Sequence, residues 1–121
     1  MTKLILIGLG GALGSMLRYG VSEAFRHQTG FPWGTLTVNI TGCFVIGLLA
    51  SLLSGPAAIR DELRVFLFVG LLGGYTTFSA FGRETIAMVH EHRYAPAATY
   101  VLLSNALGLA AVWLGHAITR K

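Results

Sequence analysis

Between Gly70 and Phe81 an apolar run is interrupted by Gly73-Gly74 and by Tyr75, Thr76, Thr77 and Ser79, with Phe78 and Phe81 alongside. Paired glycines weaken a helix, and hydroxyl side chains compete for its backbone hydrogen bonds, so this stretch predicts a helix that breaks. At membrane depth a break frees carbonyl and N–H groups that protein, water or an ion must satisfy, and such breaks mark ion and substrate sites. Phe78 and Phe81 are three apart and share a face wherever the helix resumes. Their rings serve either packing or, through electropositive edges, an anion. Five other positions carry chemistry. Asn39, in an otherwise apolar run, either glues helices together through its amide or aims an N–H donor at an anion. Glu84 follows Arg83 directly after the break and is either a functional intramembrane carboxylate or the partner of an arginine. Arg18 either snorkels to the interface or draws an anion to a pore mouth. Tyr100 and Ser104 stand one helical turn apart.

These residues need elements that hold them in a bilayer. Of 121 residues, 54% are hydrophobic and only 12% charged, against roughly 25% charged in a soluble domain. Leu4 to Leu17, His27 to Ile59, Val65 to Gly82 and Tyr94 to Thr119 contain no Asp, Glu, Lys or Arg. A spanning helix takes about 20 mostly apolar residues. The second and fourth runs reach that length outright. The first does so by running past Arg18, and the third by including Arg83 and Glu84. The expected fold is an all-α membrane protein of four transmembrane helices, the third broken mid-membrane, in one domain over residues 1–121. The helices are expected at about 3–25, 33–53, 62–91 and 96–118. Phe31-Pro32-Trp33-Gly34 reads as a turn with Trp33 in the aromatic belt, Ser54-Gly55-Pro56 ends the second helix, and Ala57 to Arg64 forms a short polar connection. Pro96 is expected to open the last helix.

Several function classes are excluded. The net charge of +4 is not clustered, which speaks against nucleic acid. The glycines after Leu4–Leu9 are not followed by the second strand and acidic residue of a dinucleotide site. Gly10 and Gly14 instead form a small face, beside Gly11 and Ser15, that lets another helix approach closely. The first segment lacks the cleavage site of a signal peptide. Cys43, the sole cysteine, permits no internal disulfide and reads as a small hydrophobe. His90-Glu91-His92 does not share a helical face and reads as an interfacial loop. No nucleophile–base–acid set can be assembled, so no enzyme is expected. Lys3, Arg60, Arg64, Arg120 and Lys121 fall on one side of the bilayer and Arg18, Arg26, Arg83 and Arg93 on the other. So weak a bias lets the chain insert both ways round, and an antiparallel homodimer is then natural.

Gly10-Gly11-Ala12-Leu13-Gly14 with Arg18-Tyr19, Gly34-Thr35-Leu36-Thr37-Val38-Asn39, and Gly73-Gly74-Tyr75-Thr76-Thr77-Phe78-Ser79-Ala80-Phe81 together, in this order, resemble the Fluc/CrcB family of fluoride channels. The resemblance implies a dual-topology dimer in the cell inner (plasma) membrane, with two pores that let fluoride leave the cytoplasm and so protect the cell from it. It implies a structural sodium ion (Na+) at the dimer centre, held by the backbone carbonyls of Gly73 and Thr76. It places Asn39, Phe78, Phe81, Tyr100 and Ser104 on the fluoride path, with the hydroxyls of Thr77 and Ser79 near it. Arg18 and Glu84 match charged family positions, at a pore mouth or in a structural role. Gly108 departs from the pattern, standing where another hydroxyl is expected. The chemistry agrees. Fluoride is strongly hydrated, so a pore must replace its water with close donors that still let the ion leave. Freed carbonyls suit a hard cation. The competing class is a small proton-coupled multidrug exporter built as an inverted dimer, which is expected to carry a carboxylate in its first helix; none lies between Leu4 and Ser22. An assembly subunit without transport would explain the glycine faces but not Asn39 and the phenylalanine pair.

Overall fold

The computed structural model describes residues 1–54 and 60–120. The expected Gly55-Pro56 stop and the first part of the connection after it lie outside the described residues, as does Lys121. Four helical spans, each long and apolar enough to cross a membrane, account for most of the rest: α1 (Thr2–Ala24), α2 (Trp33–Leu52), a composite third span over Asp61–His90, and α6 (Tyr94–Thr119). Among the described residues there is no strand. The all-helical, four-span class expected from the sequence is the one observed. Apolar side chains point outward along the spans, among them Leu9, Leu13, Leu102, Leu109 and Trp113. Water would penalise that surface and lipid accepts it. The last span begins at Tyr94 rather than at Pro96. Proline fits inside the first turn, where its missing N–H has no helical acceptor.

The third span is built from four helical pieces. A single turn, α3 (Asp61–Arg64), runs into a π-helical stretch over Val65–Leu72, then into α4 (Gly73–Tyr75). Thr76 and Thr77 are extended, and α5 (Phe78–His90) resumes the helix. The break is therefore at the threonines, and the glycine pair before it stays helical. The reason is packing. A Cβ on Gly74 would come within 2.6 Å of the Gly11 carbonyl oxygen, and one on Gly14 would collide with the Leu71 carbonyl. The small face of α1 thus receives the third span of the same chain. On the other side of the bundle, α2 and α6 approach as closely: side chains at Gly47 and Gly115 would strike the carbonyls of Val112 and Phe44.

Hydroxyls then shape the ends of the break. The Thr76 N–H and Oγ1 both donate to the Leu72 carbonyl, at 3.0 and 2.9 Å, which closes α4. Thr77 caps α5, its Oγ1 accepting from the Ala80 N–H at 3.2 Å. At the end of the bundle where the α1–α2 and α5–α6 connections meet, the Arg93 guanidinium donates to the Gly30 carbonyl and pairs with Glu91 at 3.4 Å. At the opposite end Lys3 meets Asp61 at 3.4 Å, an exposed pair of little energetic weight.

Candidate functional site

Asn39 projects from the first half of α2 onto the break and grips one residue of it twice. Its Nδ2 donates to the Thr77 carbonyl at 3.0 Å, and its Oδ1 accepts from the Thr77 N–H at 2.8 Å. One amide thus satisfies both backbone groups of a residue that no helix can serve. Of the two readings of Asn39 left open by the sequence, the interhelical bond is the one observed: one N–H is spent on the break, and the other has no acceptor among the described residues. The clamp has a further effect. In a continuous helix the N–H of Thr77 would serve the Gly73 carbonyl, and that of Ala80 the Thr76 carbonyl. Here those N–H groups go to Asn39 and to Thr77 Oγ1. Gly73 and Thr76 are thereby left with carbonyls that lack their helical donors.

A cavity of about 350 Å³ opens beside the break, between α2, the third span and α6. Asn39, Gly73, Thr76, Thr77, Phe78, Phe81 and Ser104 all line it. The Phe78 and Phe81 rings lie 5.4 Å apart at a tilt of 44°. Phe78 is 83% exposed, so it contributes almost nothing to the core of the protomer. The Ser104 Oγ is cut off from solvent and has no hydrogen-bond partner. An orphaned hydroxyl of this kind calls for a ligand or a water. Ser79 stands beside the cavity wall, its Oγ 3.2 Å from Thr77 Oγ1. Among the lining residues that the sequence did not place at a site, Cys43 and Asn105 carry polar groups.

A second cavity, of about 550 Å³, lies towards the Arg26 end and is lined by Arg18, Arg83, Glu84, Thr35 and Thr77, among others. Neither arginine has a carboxylate partner among the described residues. Glu84 is held by hydroxyls rather than by an arginine: Thr35 Oγ1 donates to one carboxyl oxygen at 2.8 Å and Tyr100 Oη to the other at 2.7 Å. The sequence reading gave Thr35 no role at a site, although it stands one turn before Asn39 on the same helix. Tyr100 is fully buried. Its ring packs against Phe81 at 5.1 Å while its hydroxyl holds Glu84, so it forms part of the partition between the two cavities and does not line the first. Thr77 lines both. The break is where the cavity lined by charged groups and the uncharged cavity meet.

Residues 5–116 match the model of the family described as CrcB-like protein, Camphor Resistance (CrcB). The chain belongs to the CrcB-like family. It is similar along nearly its whole length to proteins named fluoride-specific ion channel FluC. The protein of that name from Rhizobium meliloti is 45% identical over 122 residues, covering 99% of this chain and 98% of its relative. That from Methylobacillus flagellatus is 44% identical, over 99% and 96%. That from Solibacter usitatus is 46% identical, over 98% and 99%. These CrcB-like relatives are named for conduction and not for catalysis, in keeping with a chain in which no catalytic set could be assembled. With its four spans, this family member is a multi-pass membrane protein.

Proposed function

We propose that the protein is a fluoride-selective channel through which fluoride leaves the cytoplasm down its gradient. The observation that carries this reading is the cavity beside the break, whose free polar hydrogens, on Ser104 Oγ and the second N–H of Asn39, come without any fixed charge. A small, strongly hydrated anion exchanges its water for such donors and for the ring edges of Phe78 and Phe81, and departs because no cation traps it. Arg18 and Arg83 raise the anion concentration in the second cavity, which serves as a vestibule, and Thr77 and Ser79 offer hydroxyls where vestibule and cavity adjoin. Tyr100 and Glu84 act one layer behind, as the wall on which Phe81 rests.

The channel works as an antiparallel homodimer with two pores, inserted with dual topology in the plasma (inner) membrane. The near balance of Lys and Arg between the two sides supports that arrangement, and so does the exposure of Phe78, which leaves one flank of the cavity open to a second copy. The carbonyls of Gly73 and Thr76, deprived of their helical donors, suit a sodium ion shared between the two copies. Bound there, a hard cation supplies charge that offsets the desolvation of freed carbonyls and fastens the breaks together. The exporter alternative finds little support: Glu84 spends both carboxyl oxygens on hydroxyls and does not present them to an organic cation.

Fluoride efflux from liposomes containing the purified protein, followed with a fluoride electrode beside a chloride electrode, tests the reading. Fast loss of fluoride with chloride retained is the expected result. Retention of fluoride by folded, inserted protein would overturn it.

A further inference from the structure

Resting on that channel reading, we propose that Asn105 is an additional donor of the fluoride path and sets its rate together with Ser104. Asn105 lies near the middle of the 26-residue α6, on the wall of the cavity that also holds Asn39, Phe78 and Ser104. It is exposed in the protomer. One N–H of its amide is spent on the Val101 carbonyl, at 2.8 Å, within its own helix. The other N–H has no acceptor among the described residues. An amide left with a free hydrogen at mid-span is costly against lipid, and intramembrane polar groups of this kind face a path or a polar partner.

Donor accounting makes the amide matter. Asn39 gives one hydrogen to the break and keeps one, and Ser104 has one unpartnered hydroxyl hydrogen. Thr77 Oγ1 accepts from the Ala80 N–H and shares one hydrogen bond with Ser79, so the pair keeps a single hydroxyl hydrogen, at the edge where the two cavities adjoin. Within the cavity itself, two free donors from opposite walls are few for an ion that gives up several waters. Asn105 supplies a further one, on the same helix as Ser104 and one residue further on. The anchor to Val101 fixes the amide plane, so the free hydrogen is held in place rather than recruited by rotation. The group is neutral, as the rest of the cavity is, and binds the anion without trapping it.

The test compares wild type, Asn105→Leu and Phe78→Ile in the liposome efflux assay, with each preparation scored for assembled dimer by cross-linking and size-exclusion chromatography. Leucine keeps the volume, removes the donor and suits lipid, so folding is favoured rather than challenged. The expected result is fluoride efflux per assembled dimer slowed by at least about tenfold, the scale of one lost hydrogen bond to an ion, with assembly unchanged. Asn105→Gln, which keeps an amide, is expected to retain more of the rate than leucine does. Wild-type efflux from the leucine variant overturns the inference. So does a loss of dimers with the rate per remaining dimer unchanged, which makes Asn105 a helix-packing residue. If Phe78→Ile is slow while Asn105→Leu is fast, this inference fails and the channel reading stands. If wild type itself holds fluoride, the channel reading fails and takes the inference with it.

Discussion

Two polar centres lie a few residues apart in the bundle, and they treat their hydrogen bonds in opposite ways. At Glu84 both carboxyl oxygens are matched: Thr35 and Tyr100 each give a hydroxyl hydrogen to a separate one, and Tyr100 is wholly buried. Around the cavity by the break the matching is incomplete. Ser104 is orphaned, Asn39 and Asn105 each keep a free N–H, and the Phe78 ring is largely uncovered. Saturated buried networks stiffen a fold, whereas unsaturated ones cost energy unless a ligand completes them. On the channel reading the first centre serves as a wall and the second as a path, which assigns Tyr100 to the wall.

Substitutions can break that division or sharpen it. The largest effect is expected from Asn39→Leu, because it strips both backbone groups of Thr77 of their partners, at roughly 1–3 kcal/mol each. Loss of folded protein in a thermal-stability measurement, and of fluoride efflux with it, is the expected outcome; a stable, conducting variant would show that the break does not depend on the clamp. Phe78→Ile comes next. Since the ring is 83% exposed in the protomer, thermal stability should hardly change while fluoride efflux falls by about tenfold or more. Silver ion in chloride-free medium should slow efflux through Cys43, the only thiol, which lines the same cavity, and should leave Cys43→Ala unaffected. Equal sensitivity of the two proteins would place the thiol off the path. Tyr100→Phe should cost about 1 kcal/mol of stability through the lost bond to Glu84, with efflux changed by less than about threefold. An efflux defect as deep as that of Phe78→Ile would erase the distinction between wall and path. Thr35→Val, which removes the other hydroxyl on Glu84, should have the smallest effect of the series, a few tenths to about 1 kcal/mol in the same measurement.

Much of this architecture was legible in the sequence: the four spans follow from bilayer length and charge-free runs, and the interruption of the third from its glycine pair and hydroxyl cluster. The place of the break was less legible. Gly73 and Gly74 read as helix breakers, yet they remain helical because their lack of side chains serves the contact with α1, and that contact is invisible without the packing partner. Thr76 and Thr77 take the break because Asn39, thirty-eight positions before Thr77, captures its peptide. Phe78, Phe81, Asn39 and Ser104 do converge on one cavity. Glu84 could be recognised as a carboxylate in need of a partner, but the hydroxyls that supply it come from two other spans. Asn105 carries the signal that Asn39 does, an amide inside an apolar run, without a motif around it that assigns it a role.

The double grip on Thr77 has a consequence for how such a molecule spends time. A break fastened at both its N–H and its carbonyl cannot heal into continuous helix without surrendering two hydrogen bonds at once. Under the channel reading nothing in the third span therefore needs to swing for an ion to pass. Transport then carries no conformational clock: its direction follows the concentration gradient alone, and its pace follows how quickly an ion sheds and regains water.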